Sequence, residues 1–227
     1  MSLDARQFAP ATQRNREPIL RVLLEVLPPS GTVLEISSGT GEHAIYFAPR
    51  LAPRLWLPSD PDASARASIA AWREQEPSET LYPPLALDVR EPCWPVESAC
   101  GQLSTDLTTD ATVRVLPDFS RYPITAIVNI NMIHIAPWSA CLGLMAGARR
   151  ILPTGGVLYL YGPFKQNGRH TADSNAAFDT GLQLQNPEWG VRDLEAVVAA
   201  AQAQQFQFVK TYTMPAHNLS VVFQKSP

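Results

Sequence analysis

Apolar positions along the chain alternate between helix-like spacing and short, nearly continuous runs. Ile19, Leu20, Leu23, Leu24 and Leu27 recur at the period of one helix face, which predicts a helix over Thr12–Leu27, stopped by Pro28-Pro29-Ser30-Gly31. Thr32–Ile36 is then a strand, a small-residue loop follows, and a helix is expected over Glu42–Leu51. Arg54–Ser59 reads as a second strand, with Asp60 as N-cap and Pro61 as first residue of a helix reaching Glu76. Pro84–Val89 reads as a third strand. Ile124–Met132, apolar nearly throughout as a strand covered on both faces should be, is the fourth.

Trp138–Leu152 has helical spacing, and the turn Pro153-Thr154-Gly155-Gly156 leads into a fifth strand, Val157–Tyr161. A polar loop over Gly162–Asn186 follows, in which Asn175–Asp179 is expected as a short lid helix. A last helix over Gly190–Gln205 precedes two strands, Phe206–Met214 and Leu219–Gln224. Their connection, Pro215–Asn218, is short enough to force them antiparallel. Strands alternating with helices predict an α/β fold with a doubly wound, Rossmann-like, mostly parallel sheet of seven strands closed by a C-terminal antiparallel pair. Ligands of such a sheet bind at the carboxyl ends of its strands. The segment from Gly101 to Phe119 fits no βα unit and reads as an insertion within one domain spanning 1–227.

Composition changes this picture little. A net charge of −3 lacks the basic surplus of a nucleic-acid binder, so a small-molecule partner is expected. No apolar run approaches the roughly 18–20 residues that span a bilayer, and Met1–Arg6 lacks the basic-then-apolar pattern of a signal peptide. Cys93, Cys100 and Cys141 have no metal-ligand spacing, which suggests free thiols in a reducing cytoplasm and no metal site.

The chemistry concentrates first in Val33–His43, where a strand enters the loop Ser37-Ser38-Gly39-Thr40-Gly41 and a helix starts directly after it. Glycines there let backbone N–H groups approach a ligand, with the positive helix end behind them. Gly39–Ala44 satisfies the G-x-G-x-x-A pattern of a dinucleotide site, with Asp60 at a suitable distance downstream. Against that reading, Ser37 and Ser38 separate the strand from its first glycine, and the chain has no room for a substrate domain.

More positions fit another family. Leu34–Gly41 resembles the first motif of class I S-adenosylmethionine-dependent methyltransferases, Asp60 their second acid, and Asp88-Val89 their third-strand acid with its neighbour. Asn129–His134 sits where the fourth-strand motif passes the methyl donor, and Leu152–Gly156 resembles the turn before strand five. Over nearly its full length, the chain is similar to a methyltransferase-like family of unknown function that includes methyltransferase-like protein 26. That likeness rests on Ala11–Asn15, Asn129–His134 with Trp138, Tyr161–Lys165, Gly168–Thr171, Ser174–Asp179 and Pro187–Asp193.

The resemblance implies the class I fold with S-adenosylmethionine as cofactor, S-adenosylhomocysteine as product, and an unidentified small-molecule methyl acceptor. It assigns the cofactor to Glu35, Ser37, Ser38, Gly39, Thr40, Gly41, Asp60, Pro61, Asp88, Val89, Asn129, Asn131 and Met132. Within that set Glu35 would meet the loop amides and the methionine amino group, Asp60 the ribose hydroxyls, and Asp88 and Val89 the adenine edge. His134, Tyr161 and His170 are candidates for proton transfer. Asn15, Lys165, Arg169, Asn175, Asp179 and Asn218 are candidates to touch the acceptor, on the 162–189 side of the sheet and beside it. A protein that binds the cofactor without catalysis is the alternative, and a nicotinamide-dinucleotide enzyme the more distant one. One departure stands out: Ser37 replaces the first glycine, and would be strained by about 1 kcal/mol if the turn requires positive φ.

Overall fold

A computed structural model describes residues 4–97 and 116–227. Its elements are α1 (Pro10–Val26), β1 (Thr32–Ile36), α2 (Glu42–Arg50), β2 (Leu55–Ser59), α3 (Ala63–Gln75), β3 (Ile124–Ile130) and α4 (Trp138–Ile151). They continue with β4 (Val157–Gln166), β5 (Arg169–His170), α5 (Asp173–Gln185), β6 (Arg192–Asp193), α6 (Leu194–Gln202), β7 (Phe206–Met214) and β8 (Asn218–Lys225). The sheet order is β2-β1-β3-β4-β8-β7, with β5 and β6 added at the far end of β4. β1 to β4 run parallel, and β8 lies antiparallel between β4 and β7. This is the expected doubly wound α/β sheet with its antiparallel closing pair.

Both faces of the sheet are covered. Ile19, Leu23, Phe47 and Ala48 from α1 and α2 pack on Val33, Val128 and Tyr159. Cys141, Leu144 and Ala148 from α4, with Val197 and Ala201 from α6, pack on Leu34, Ile127 and Leu158 on the opposite face. Successive strand residues point to opposite faces, so each strand feeds both layers. The chain proceeds from β1 outward to β2, then returns to place β3 on the other side of β1. The crevice of a doubly wound sheet opens at such a reversal, beyond the carboxyl ends of β1 and β3.

Several local expectations are corrected. Pro84–Val89 is not a strand: it touches β2 only at one isolated bridge, Ser59 with Leu85, while a second, Trp56 with Leu81, lies just before it. Pro83 and Pro84 lie between those bridges and have no N–H to donate to a ladder. The helix after β2 is capped by Asp62, whose carboxylate accepts from Ala65 N, so Asp60 and Pro61 lie before it. Most of the expected polar loop after strand five is ordered: β4 runs on to Gln166, and α5 is a full helix of 13 residues. The last helix starts at Leu194 rather than Gly190, because β6 precedes it. Cys141 is a buried free thiol. Cys93 is disulfide-bonded, contrary to the expectation of free thiols. Most of the expected insertion, 101–115, lies outside the described residues.

Candidate active site

The loop after β1 is built on left-handed backbone. Ser37 has φ 56°, Gly39 55° and Gly41 88°. Ser37 therefore takes the strained conformation that the glycine pattern foretold. Gly41 is required for packing, since a Cβ there would stand 2.9 Å from Ile69 of α3. Gly39 differs: a Cβ would meet nothing within 4 Å, so this side of the loop faces open space. Ser38 ties the loop to β2 by donating its N–H to Ser59 O at 2.9 Å and accepting from Ser59 N at 3.2 Å.

Two carboxylates lie under this loop. Asp60 accepts Gly39 N at 3.0 Å on one oxygen and Asp62 N at 2.9 Å on the other. A carboxylate offers about four acceptor sites, so roughly two stay available. Burial raises the Asp60 pKa, partly countered by those two N–H groups. Glu35 is 1% exposed and accepts from Trp56 Nε1 at 2.9 Å. Desolvation pushes its pKa up to about 7, against the lowering effect of the Trp56 and Ser38 hydrogen bonds. Asp88 is bound by Arg90, with Oδ2 2.6 Å from Nη2, and Val89 is buried where its carbonyl meets the indole of Trp94 at 3.3 Å. Pro61 is exposed and Met132 is in the core.

Beyond β3 the chain turns sharply. Asn131 has φ 60° and donates its N–H to Tyr161 O at 2.8 Å, while Asn129 spends its amide on Ile36 O at 3.0 Å. His134 follows, 3% exposed, with Nδ1 lacking a hydrogen-bond partner among the described residues. A Cβ on Gly162 would lie 3.1 Å from that nitrogen, so glycine makes room for the ring. Desolvation, with Arg192 adding to it, lowers the His134 pKa to about 4, which leaves the imidazole neutral at pH 7. Arg192 pins the loop around it by donating to Ile133 O at 3.0 Å, Ala136 O at 2.6 Å and Glu188 O at 2.8 Å.

The other candidates fall into two groups. Tyr161, raised in pKa mainly by burial, accepts from Asn218 Nδ2 at 3.2 Å, and Asn15 Oδ1 meets His43 Nε2 at 2.8 Å. This group joins α1, α2, β4 and β8 on one side of the crevice. Asp179 organises the second: it pairs with Lys165 at 2.8 Å and His170 at 3.2 Å, and accepts from Val191 N at 2.7 Å. Lys165, His170 and Asp179 are thus engaged with one another, while Arg169 is exposed and Asn175 donates to His217 O at 3.1 Å. Sequence reasoning did not single out Glu42 and Ser68, which hold Thr40 by its hydroxyl at 3.0 Å and its carbonyl at 2.7 Å. Buried polar residues on otherwise apolar helix faces are the signal that could have found them. Elsewhere, a cleft of about 330 Å³ among Arg16, Tyr46, Trp72 and Glu76 opens on the α1–α2–α3 flank and meets this site only at Glu42.

This arrangement of sheet, crevice and acids is the class I methyltransferase fold. Human N-acetylserotonin methyltransferase, solved in complex with SAM, matches 96% of the chain with a TM-score of 0.70 at 12% identity. The S-adenosylmethionine-dependent methyltransferase SibL, in its apo form, matches 96% with a TM-score of 0.68 at 15% identity. An O-methyltransferase family 2 protein from Planctomyces limnophilus, solved with apigenin, matches 92% with a TM-score of 0.65 at 17% identity. The chain covers 53%, 56% and 60% of those three proteins respectively, so it spans little more than half their length. The chain belongs to the family described as Protein of unknown function (DUF938), which it matches over residues 6–225.

Proposed function

We propose that the protein is an S-adenosylmethionine-dependent methyltransferase acting on a small molecule. The observation that carries this reading is the left-handed loop 37–41 over the Asp60 carboxylate, at the reversal of the sheet. The residues fit the cofactor. Asp60 keeps acceptor capacity for a ribose diol, the open side of Gly39 admits a ligand against the backbone, and Glu35 is poised to ionise beside a cationic amino group. Asp88 fits the adenine edge only with its Arg90 pair loosened. The neighbours' fold, and the SAM and S-adenosylhomocysteine bound in two of them, support the same cofactor.

Bound there, the cofactor supplies an electrophilic methyl group for in-line displacement, a reaction governed by alignment. In this reading Asn131 and Tyr161 line the acceptor side, with the neutral His134 ring buried beside them against Gly162. His170, tied to Asp179, shapes the far wall together with Lys165. No helix among the described residues is long and apolar enough to cross a membrane.

Isothermal titration with S-adenosylhomocysteine, S-adenosylmethionine and NAD tests the cofactor. Heat from the first two and none from NAD is expected, and the reverse would sink the proposal. Incubation with radiolabelled S-adenosylmethionine and a metabolite extract tests catalysis. Binding with no transfer by the wild type would point to a non-catalytic binding protein instead.

A further inference from the structure

The cofactor loop owes its shape to more than its own sequence. With φ positive at Ser37, Gly39 and Gly41, its backbone has other conformations within easy reach. Two side chains hold its middle residue: Ser68 Oγ donates to Thr40 O at 2.7 Å, and Glu42 Oε2 accepts from the Thr40 hydroxyl at 3.0 Å. Both have a second partner in the segment before α1. Gln7 N donates to Ser68 Oγ at 2.8 Å, and Ala9 N donates to Glu42 Oε2. The same segment is anchored by Trp72, whose Nε1 donates to Gln7 O at 3.1 Å and whose ring meets Phe8 edge-on at 5.1 Å.

A hydroxyl has one proton. Because Gln7 N occupies a lone pair of the fully buried Ser68 oxygen, that proton is directed to Thr40. Glu42, 9% exposed, is likewise held in place by Ala9 and would otherwise be drawn toward water. We infer that residues 7–9 form a strap that sets the cofactor loop, with Glu42 and Ser68 as the positioning residues that transmit its hold to Thr40. This inference rests on the proposed cofactor. It makes the segment before α1 part of the cofactor site, although that segment lies 33 and 61 residues from the groups it fixes.

The test is S-adenosylhomocysteine affinity by titration calorimetry, together with amide exchange at Gln7 and Ala9. Ser68→Ala should weaken binding about 10-fold. The double variant Phe8→Ala/Trp72→Phe, which touches the strap and not Thr40, should weaken it at least 3-fold and speed exchange at both amides. Ligand should slow that exchange in the wild type. Leu184→Ala, at an 84% exposed position on α5, serves as control and should bind normally. A variant lacking residues 1–9, which removes both the Gln7 and the Ala9 donors, checked for a cooperative thermal melt, provides the decisive comparison. If it binds within 2-fold of the wild type, the strap is refuted while the cofactor stands. If the wild type itself gives no heat, the proposed function fails with it.

Discussion

Ser37 holds a backbone conformation that glycine would take at no steric cost, with φ 56°. Ser37→Gly relieves about 1 kcal/mol of strain and returns a similar amount by loosening the unfolded chain. Its net effect in urea denaturation should stay within about 1 kcal/mol of the wild type. Glu35 gives a sharper prediction. Its pKa is about 7 in the folded protein, above the ordinary 4.5, so the folded state binds the extra proton. The associated stability is full below pH 4.5 and is lost as pH rises through 7. Glu35→Gln keeps an oxygen for the Trp56 indole and removes the charge. It should gain stability over the wild type at pH 8, by up to about 3 kcal/mol, and little at pH 4. Denaturation curves at the two pH values check it. Glu35 and Asp60 stood out in the sequence as acids at the ends of apolar strands, although Asp60 also read as a helix N-cap, the role that Asp62 takes. Glu42 did not, since its partners include a backbone group far along the chain.

The element that sequence reasoning read least well is α5. Its buried positions include Asn175 and Asp179, while Phe178 and Leu184 are exposed, so its pattern is partly inverted and gives no apolar stripe to detect. The helix is held instead by Asp179, which reaches Lys165, His170 and Val191. Asp179→Asn should cost about 1–3 kcal/mol in urea denaturation, because the half-buried Lys165 loses its counter-charge but can still turn to water. α4 is held differently, by close approach. Gly147 lies so near Trp94 that an added Cβ would stand 1.9 Å from Cζ2 of the indole, well inside contact distance. Gly147→Ala should destabilise the protein by roughly 1–3 kcal/mol through overpacking, despite alanine's better helix propensity. A lowered denaturation midpoint with an unchanged slope would confirm it. The missing third strand is also an element-scale effect, since two prolines remove the donors a ladder needs.

For the molecule as a whole, the crevice joins loops from β1, β2, β3 and β4, so a ligand bound there adds to the few direct bonds between them, such as Gly39 N to Asp60 and Asn131 N to Tyr161 O. S-adenosylhomocysteine at 100 times its Kd should stabilise the fold by about 2.7 kcal/mol. For a chain of 227 residues that raises Tm by roughly 5–10 °C, measurable by scanning fluorimetry, with no rise expected from NAD.

Local chemistry alone specified the alternation of strands and helices, the glycine loop, the acids at strand ends and the antiparallel closing pair. Each depends on residues within a dozen positions of one another, where spacing and backbone sterics act directly. Strand order, the placement of β8 between β4 and β7, and the crevice between β1 and β3 emerged only on folding. So did the pairing of Glu35 with Trp56, of Asp179 with Lys165 and His170, and of the strap with Glu42 and Ser68. Periodicity states which face of an element must be buried, but not against which partner. Partners are selected by the packing of the whole chain, and a hydrogen bond spanning 61 residues leaves no mark on the spacing around either end.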